Sequence, residues 1–311
     1  MKIQNWIFVT GAPRSGTTFV GKILSAPISV DYIHEPFNPD CGIPGIDQRF
    51  LYLRPDGNSN QKQREIAKNI FSLKFSLKTG YYKKDAFWTK TLKSVIGSRG
   101  PFYLRIAKLN PFHTSAVIKD PIGCLSTEYL AKNFGVKPVV MIRHPVSFVA
   151  STMRLGWELD LTPICAQGEL VDDFFSDETE FLQAKERSTL QSSAALWRAL
   201  NKVLLMQAEN NPRWHVVTHE QLCASPVKTF RELYGGLGLP WSSGIERLIV
   251  KKTESKNRAS ARPGRVQEFS RDSAAIFKHS INTLSAEQRK EIYDITEDVA
   301  QKFYSRESFM L

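Results

Sequence analysis

The stretch that decides the fold lies near the start of the chain, where residues 5–18 read NWIFVTGAPRSGTT. An apolar run over residues 6–10 leads directly into Gly11, and a helical pattern begins after Gly16. Two glycines separated by four residues let backbone N–H groups curl around a phosphate, and the N-terminus of the following helix adds partial positive charge. The stretch therefore predicts a phosphate-binding loop between a buried strand and a helix.

The loop departs from the Walker A pattern G-x-x-x-x-G-K-[ST] at one position, because Thr17 stands where that pattern has lysine. In P-loop kinases and nucleotide hydrolases this lysine contacts the β- and γ-phosphates. The cation of this loop is Arg14 instead. A P-loop kinase acting on a small metabolite is therefore a less favoured alternative.

Short apolar runs alternate with helical patterns along the rest of the chain. Further strands are predicted over residues 29–33, 116–118, 138–142 and 214–218, and long helices over residues 178–210 and 284–303. The strands are almost continuously apolar, which indicates that both faces of the sheet are covered. The pattern predicts an α/β fold with a parallel β-sheet flanked by helices, in a single domain over residues 1–311.

The charge of the chain indicates an anionic partner. Lys and Arg number 42 against 31 Asp and Glu, which gives a formal net charge of +11. Much of the excess lies in a basic, helical stretch within residues 38–110, predicted to be an insertion over the ligand edge of the sheet, and in a loop over residues 251–271. Charge alone would also suit a non-catalytic basic nucleic-acid-binding protein, which is the second alternative.

The sequence contains no secretory signal and no apolar stretch long enough to span a membrane. Its four cysteines are far apart and form no C-x-x-C pair, so neither a zinc site nor a disulfide framework is expected. These features predict a cytoplasmic protein with no membrane span and no metal site.

A second phosphate-binding signal lies at the end of the strand predicted over residues 138–142. Arg143 follows this strand, and Pro145 opens a helix, a position where its missing N–H is not needed. Ser151 lies two turns further along that helix. Arg143 and Ser151 are therefore candidates to bind one phosphate together.

The two signals together resemble the sulfotransferases that use 3′-phosphoadenosine 5′-phosphosulfate (PAPS). The run PRSGTT at residues 13–18 is similar to their 5′-phosphosulfate loop, and Arg143, Pro145 and Ser151 are similar to their 3′-phosphate motif. Weaker similarities are HEPF at residues 34–37, IKDP at 118–121 and HEQL at 219–222. The similarity favours the carbohydrate- and tyrosylprotein-type bacterial branch, and it implies a P-loop-like fold and sulfuryl transfer without a metal.

The resemblance implies which residues bind the donor. Those expected at the 5′-phosphosulfate are Pro13, Arg14, Ser15, Gly16, Thr17 and Thr18. Arg143 and Ser151 are expected at the 3′-phosphate. The basic loop is expected to close over the donor through Arg258, Arg262, Gly264 and Arg265.

The resemblance also implies the catalytic residues. Arg14 would stabilise the charge that builds on the bridging oxygen of the departing phosphate, and Lys119 would contact the sulfuryl oxygens. Glu35 and Asp120 are the two candidates for the general base, and the sequence leaves that choice open. The acceptor is expected to be a hydroxyl or amine of a saccharide or a small molecule. The basic insertion would suit an anionic acceptor. The sequence identifies neither the acceptor nor the oligomeric state.

Overall fold

The structure is a computed structural model that describes residues 3–79, 98–184, 186–253 and 283–310. Contacts between residues divide the chain into two compact units. The first unit comprises Met1–Thr10 and Val20–Val139, and the second comprises Gly11–Phe19 and Val140–Leu311. The prediction of a single domain stays a prediction.

Five strands form one sheet in the order β2-β3-β1-β4-β5. Their bounds are β1, Asn5–Gly11; β2, Val30–His34; β3, Ser115–Lys119; β4, Lys137–Ile142; and β5, His215–Thr218. In the first unit β3 pairs in parallel with β1 and with β2, so that Lys119 lies opposite both Val9 and His34. The predicted α/β fold with a parallel sheet flanked by helices is confirmed.

Fourteen α-helices lie in the described residues, along with a short 3-10 helix, Cys124–Ser126. The helices up to β4 are α1, Thr17–Leu24; α2, Gln61–Ile70; α3, Arg99–Leu109; and α4, Thr127–Phe134. Between β4 and β5 they are α5, Pro145–Arg154; α6, Thr162–Cys165; α7, Gly168–Phe174; α8, Thr179–Gln183; and α9, Thr189–Glu209. After β5 they are α10, His219–Ala224; α11, Pro226–Leu237; α12, Ser243–Thr253; α13, Ala286–Ala300; and α14, Glu307–Met310.

The core of the first unit is formed by its three strands and by side chains from the segment predicted to be an insertion. Phe8, Ile33 and Ile118 from the strands share one buried cluster with Ala67 of α2 and Leu104 of α3. The described parts of residues 38–110 thus contribute to this core. Their predicted placement over the ligand edge stays a prediction.

The second unit is built around α9, whose side chains are largely buried and which packs against α13 and α5. Ser188 caps the start of α9: its hydroxyl accepts from the backbone of Gln191, whose side chain accepts in return from the backbone of Ser188. This capping box fixes where the helix begins. The prediction of one continuous helix over residues 178–210 is therefore wrong, because α8 and α9 are separate helices.

Two other predicted helices form close to their predicted positions. Pro145 opens α5, as its fixed φ and missing N–H favour. The helix predicted over residues 284–303 forms as α13, again with a capping box, made by Ser285 and Gln288.

Two further features of the described residues are relevant to function. All four cysteines are free, and Cys165 is exposed whereas Cys124 is buried. In the part of the chain that the structure describes, no helix combines the length and the apolar character needed to cross a membrane.

Candidate active site

The loop between β1 and α1 has the backbone conformation expected of a phosphate-binding turn. Gly11 and Gly16 have φ values of 139° and 92°, and Arg14 between them has φ 71°. A Cβ at Gly11 would lie 2.2 Å from the carbonyl oxygen of Met141, and one at Gly16 would lie 3.1 Å from the ring of His219. Both positions therefore require glycine, whereas Arg14 adopts a left-handed conformation that disfavours its side chain.

Arg143 and Ser151 both contact this loop within the second unit. The Nη1 of Arg143 donates to the carbonyl oxygen of Arg14 at 2.8 Å, and the Nε of Arg14 donates to the hydroxyl of Ser151 at 3.2 Å. The end of β4, the second turn of α5 and the middle of the loop are thereby linked. The Arg143 contact also holds the carbonyl of Arg14, the non-glycine residue of the loop that has a left-handed backbone.

Three buried polar groups around this arrangement have no hydrogen-bond partner among the described residues. They are the hydroxyl of Ser15, the Nε of Arg143 and the hydroxyl of Ser147. Ser147 lies one turn before Ser151 on α5 and so on the same face of that helix. A buried donor without a partner costs about 1–3 kcal/mol. A phosphate would satisfy such donors, so the residues present fit a phosphorylated ligand.

The end of β4 is held in place by contacts from distant parts of the second unit. The indole Nε1 of Trp197 on α9 donates to the carbonyl oxygen of Arg143 at 2.8 Å. The backbone N–H of His144 donates to one carboxylate oxygen of Glu220 at 3.2 Å, and the hydroxyl of Tyr304 donates to the other at 2.7 Å. These contacts hold the backbone from which the side chain of Arg143 extends.

His144 and His219 are uncharged at neutral pH. Burial, followed by the charge of Arg143, lowers the pKa of each to about 3. The Nδ1 of His144 accepts from the backbone of Val146 and caps α5, so its role is structural. His219 packs against Gly16 and leaves the positive charge of this region to the two arginines.

In the first unit, Glu35 and Lys119 form a buried ion pair at the carboxyl ends of β2 and β3. The second carboxylate oxygen of Glu35 accepts from the side chain of Asn38 at 2.6 Å. Burial favours a raised pKa for Glu35, but Lys119, His34 and Asn38 outweigh it and hold the pKa at about 2. Glu35 has φ 48°, so it too adopts a left-handed conformation. The result is a carboxylate that is ionised at neutral pH and paired with a buried lysine.

Asp120 lies next to this pair but is fully buried. Its two carboxylate oxygens accept from the backbone N–H groups of Phe37, Ile122 and Gly123 at 2.6–3.0 Å. Burial, followed by the negative charge of Glu35, raises the pKa of Asp120 to about 7. Its contacts bind the chain after β2 to the chain after β3, which is a structural role.

The structure thus gathers the predicted site residues into two clusters. Arg14, Arg143 and Ser151 share one cluster, with Pro13, Ser15, Thr17 and Thr18 buried nearby in the same loop or at the start of α1. Glu35, Lys119 and Asp120 form the other. The predicted donor-covering residues Arg258, Arg262, Gly264 and Arg265 lie outside the described residues.

Sequence reasoning did not predict the place of Ser147 in this cluster, the contact of the Trp197 indole with Arg143 or the contact of His219 with Gly16. For Ser147 a signal existed, since it is four residues before Ser151 in the same helix. Trp197 and His219 come from segments more than fifty residues further along the chain than the groups they contact. The HEQL similarity at residues 219–222 includes His219 but does not indicate that its ring lies against Gly16.

The geometry of the loop cluster can stabilise a compact, highly charged anion. Two guanidinium groups and two or more hydroxyls converge on a turn at a helix N-terminus, and burial strengthens each interaction. Charge that develops on a phosphate oxygen during group transfer would be stabilised in the same way.

Comparisons with known proteins agree with this chemistry. Residues 6–243 match the model of the sulfotransferase family. The chain therefore belongs to the sulfotransferase family, whose members transfer sulfuryl groups. The match spans both phosphate motifs and the strands that carry them, and it confirms the predicted resemblance.

The chain is also similar to solved structures of sulfotransferases. The sulfotransferase domain from the curacin biosynthetic pathway has a TM-score of 0.49 and 14% identity, covering 96% of this chain and 99% of that one. The sulfotransferase domain from the Synechococcus PCC 7002 olefin synthase has a TM-score of 0.44 and 14% identity, covering 98% of this chain and 97% of that one. Mouse sulfotransferase SULT7A1, solved in complex with PAP, has a TM-score of 0.45 and 11% identity, covering 97% of this chain and 88% of that one. No curated protein matches the chain.

Proposed function

We propose that this sulfotransferase moves the sulfuryl group of PAPS to a hydroxyl or amine of a saccharide or small-molecule acceptor, by in-line transfer without a metal. The observation that carries the proposal is the convergence of Arg14, Arg143 and Ser151 on one glycine turn. When bound, PAPS supplies an activated sulfuryl group attached to a phosphate leaving group. The residues around the turn bind, orient and stabilise that phosphate.

Donor recognition rests on two groups of contacts. The unpaired hydroxyl of Ser15 and the backbone N–H groups at the start of α1 would hold the 5′-phosphate. The unpaired Nε of Arg143 and the hydroxyls of Ser147 and Ser151 would hold the 3′-phosphate. A 3′-phosphate distinguishes PAPS from ATP, so Arg143 is the residue that would select the donor.

Arg14 is assigned to the leaving group. As sulfur forms a bond to the acceptor oxygen or nitrogen, its bond to the bridging oxygen breaks and negative charge builds on that oxygen. A guanidinium keeps its proton and stabilises this charge by hydrogen bonding. Thr17 stands at the position of the Walker lysine, and the cation of the loop is Arg14 instead. This difference from the Walker A pattern supports the proposal of transfer without a metal.

We assign the general base to Glu35. Its side chain is 14% exposed, whereas Asp120 is fully buried with both oxygens bound to backbone N–H groups. In the proposed step the proton of the acceptor moves to Glu35 while the new bond to sulfur forms. Lys119 keeps Glu35 ionised and oriented, and we retain for it the further role of contacting the sulfuryl oxygens.

The donor assignment is tested by thermal shift with 3′,5′-ADP, 5′-AMP and Mg-ATP. We expect 3′,5′-ADP to raise Tm most, and Arg143→Ala to remove the preference for 3′,5′-ADP over 5′-AMP. Arg247→Ala, an exposed arginine on α12, is the matched control and should keep that preference. A larger shift with Mg-ATP would favour the kinase alternative instead. Salt-sensitive binding of oligonucleotides without any nucleotide preference would favour a nucleic-acid-binding protein.

The acceptor class is tested separately, with radiolabelled PAPS and a panel of saccharides, lipids and small alcohols. We expect transfer to a saccharide or small hydroxyl compound, with no requirement for nucleic acid. Labelled product formed equally well in the presence of EDTA would support transfer without a metal, and loss of product with EDTA would contradict it.

A further inference from the structure

An apolar patch lies on the surface of the first unit and plays no part in the proposed reaction. It is formed by Phe102, Ile106 and Leu109 of α3 together with Phe112 and Ile28. Leu109 is 74% exposed and Ile28 is 76% exposed. Of the eight large apolar residues that are exposed in the described part of the chain, five belong to this patch.

The patch is one continuous feature of the fold. Phe102, Ile106 and Leu109 have the spacing of one helix face, while Leu104 and Ala107 on the other side of α3 are buried in the core. The helix is therefore apolar on two sides, and only one of them is used for folding.

Asn110 holds the remaining two residues of the patch beside the end of α3. Its side-chain amide donates to the carbonyl oxygen of Ile28 at 2.9 Å, and its side-chain oxygen accepts from the backbone N–H of Phe112 at 3.0 Å. Ile28 and Phe112 thus extend the surface made by the helix, and their exposure does not result from loose chain ends.

The exposed charges on α3 are positive, and the nearby acidic residue Asp31, which accepts from the side chain of Asn110 at 2.8 Å, is buried. Residues 99–114 contain three basic residues and no Asp or Glu, and Arg105 and Lys108 are exposed on α3 itself. Residues 20–30, which lead to Ile28, contain no acidic residue either. A partner that covers this surface must accept apolar side chains and bring negative charge.

We propose that the patch docks the protein on the surface of an anionic lipid bilayer. Large apolar side chains can enter the boundary between headgroups and acyl chains, while Arg105 and Lys108 contact anionic headgroups. A second copy of the chain is a poorer occupant, because a symmetric contact would bring the same basic residues face to face. A nucleic acid would use the charges but leave the apolar side chains in water.

The proposal is tested with the full chain and with vesicles of phosphatidylcholine alone or mixed with phosphatidylglycerol. We expect sedimentation with the mixed vesicles, weakened by salt, and weak sedimentation with phosphatidylcholine alone. The double variant Leu109→Ser with Phe112→Ser should lower the partition coefficient at least about tenfold, since it removes two buried apolar side chains. Arg105→Ala should lower it about fivefold.

Met206→Ser is the matched control, since Met206 is 36% exposed on α9, outside the patch. It should sediment like the parent protein, and all variants should keep the same Tm and affinity for 3′,5′-ADP. Equal binding to both vesicle types, or unchanged binding of the double variant, would overturn the proposal. A parent protein that is dimeric, becomes monomeric in the double variant and binds neither vesicle would identify the patch as a self-association surface instead.

Discussion

The two polar clusters differ in how their hydrogen-bonding groups are used. In the second unit, the loop cluster keeps the hydroxyls of Ser15 and Ser147 and the Nε of Arg143 buried without a partner in the described residues. In the first unit, every carboxylate oxygen of Glu35 and Asp120 has a partner. The unpaired donors of the loop cluster remain available to a ligand. Paired carboxylates indicate groups whose charge and orientation the fold has already fixed.

The largest expected effect is a loss of turnover. It would show which of the two carboxylates, Glu35 or Asp120, acts as the general base. We expect Glu35→Gln to lower kcat about 10²- to 10⁴-fold, the usual contribution of a general base. Asp120→Asn should mainly lower Tm, since it weakens contacts between the chain after β2 and the chain after β3. The affinity of Glu35→Gln for 3′,5′-ADP should equal that of the parent protein, and this measurement serves as the control that the variant is folded.

The pH dependence of kcat makes the same distinction without a mutation. The pKa of Glu35 is about 2, so a Glu35 base stays ionised and kcat should not fall between pH 8 and pH 5 through this group. The pKa of Asp120 is about 7, so an Asp120 base would become protonated and lose activity about tenfold per pH unit below that value. A tenfold fall per pH unit would therefore refute the assignment of Glu35.

The next largest effect concerns the loop cluster. We expect Arg14→Ala to lower kcat by about 10²- to 10³-fold, equivalent to about 2.7–4 kcal/mol of transition-state stabilisation. Turnover with PAPS and a competent acceptor is the measurement, with Arg247→Ala as the control. A near-normal rate for Arg14→Ala would remove Arg14 from the mechanism.

A somewhat smaller effect is expected at the other end of the donor. Arg143→Ala should weaken binding of 3′,5′-ADP by about 1.5–3 kcal/mol, as measured by calorimetry, because a charge-assisted contact is lost. Ser151→Ala should raise the donor KM in the same direction by a smaller factor. If Arg143→Ala binds 3′,5′-ADP as tightly as the parent protein, the donor assignment is wrong.

The smallest effect tests whether His144 supports the cluster without taking part in the chemistry. Its folded pKa of about 3 lies below the unfolded value of about 6.5, so its contribution to stability is complete above pH 6.5 and is lost as the pH falls. His144→Asn cannot be protonated and can still cap α5. Urea denaturation measures the free energy of unfolding of the parent protein and of the variant. As the pH falls from 7.5 to 5.5, the parent should lose about 1.4 kcal/mol relative to the variant. A constant difference would show that His144 is not held neutral.

The sequence predicted the strands closely because each is a short, continuously apolar run with a sharp end. The strand predicted over residues 138–142 forms as Lys137–Ile142, and that over 214–218 forms as His215–Thr218. The helix over residues 178–210 was mispredicted because its apolar pattern continues across the point where Ser188 caps a new helix. A local capping interaction decided the boundary there against the periodicity.

The candidate site was predicted as far as it is encoded in local motifs. Glycine spacing located Arg14, and a strand end followed by proline located Arg143 and Ser151. The sequence could not choose between Glu35 and Asp120, because that choice depends on burial and on backbone donors far along the chain. For the same reason it could not reveal Trp197, whose contact with the Arg143 carbonyl joins residues 54 positions apart.

The left-handed backbone of Arg14 has a consequence for protein engineering. A non-glycine residue in that region costs roughly 1 kcal/mol, and Arg14→Gly would relieve this strain. The lost hydrogen bond to Ser151 and the greater freedom of glycine in the unfolded chain offset the gain, so Tm should change little while the loop loses its cation. A directed-evolution screen that selects only for thermostability would therefore not remove this substitution. Libraries of this enzyme therefore need a selection for turnover alongside the one for melting temperature.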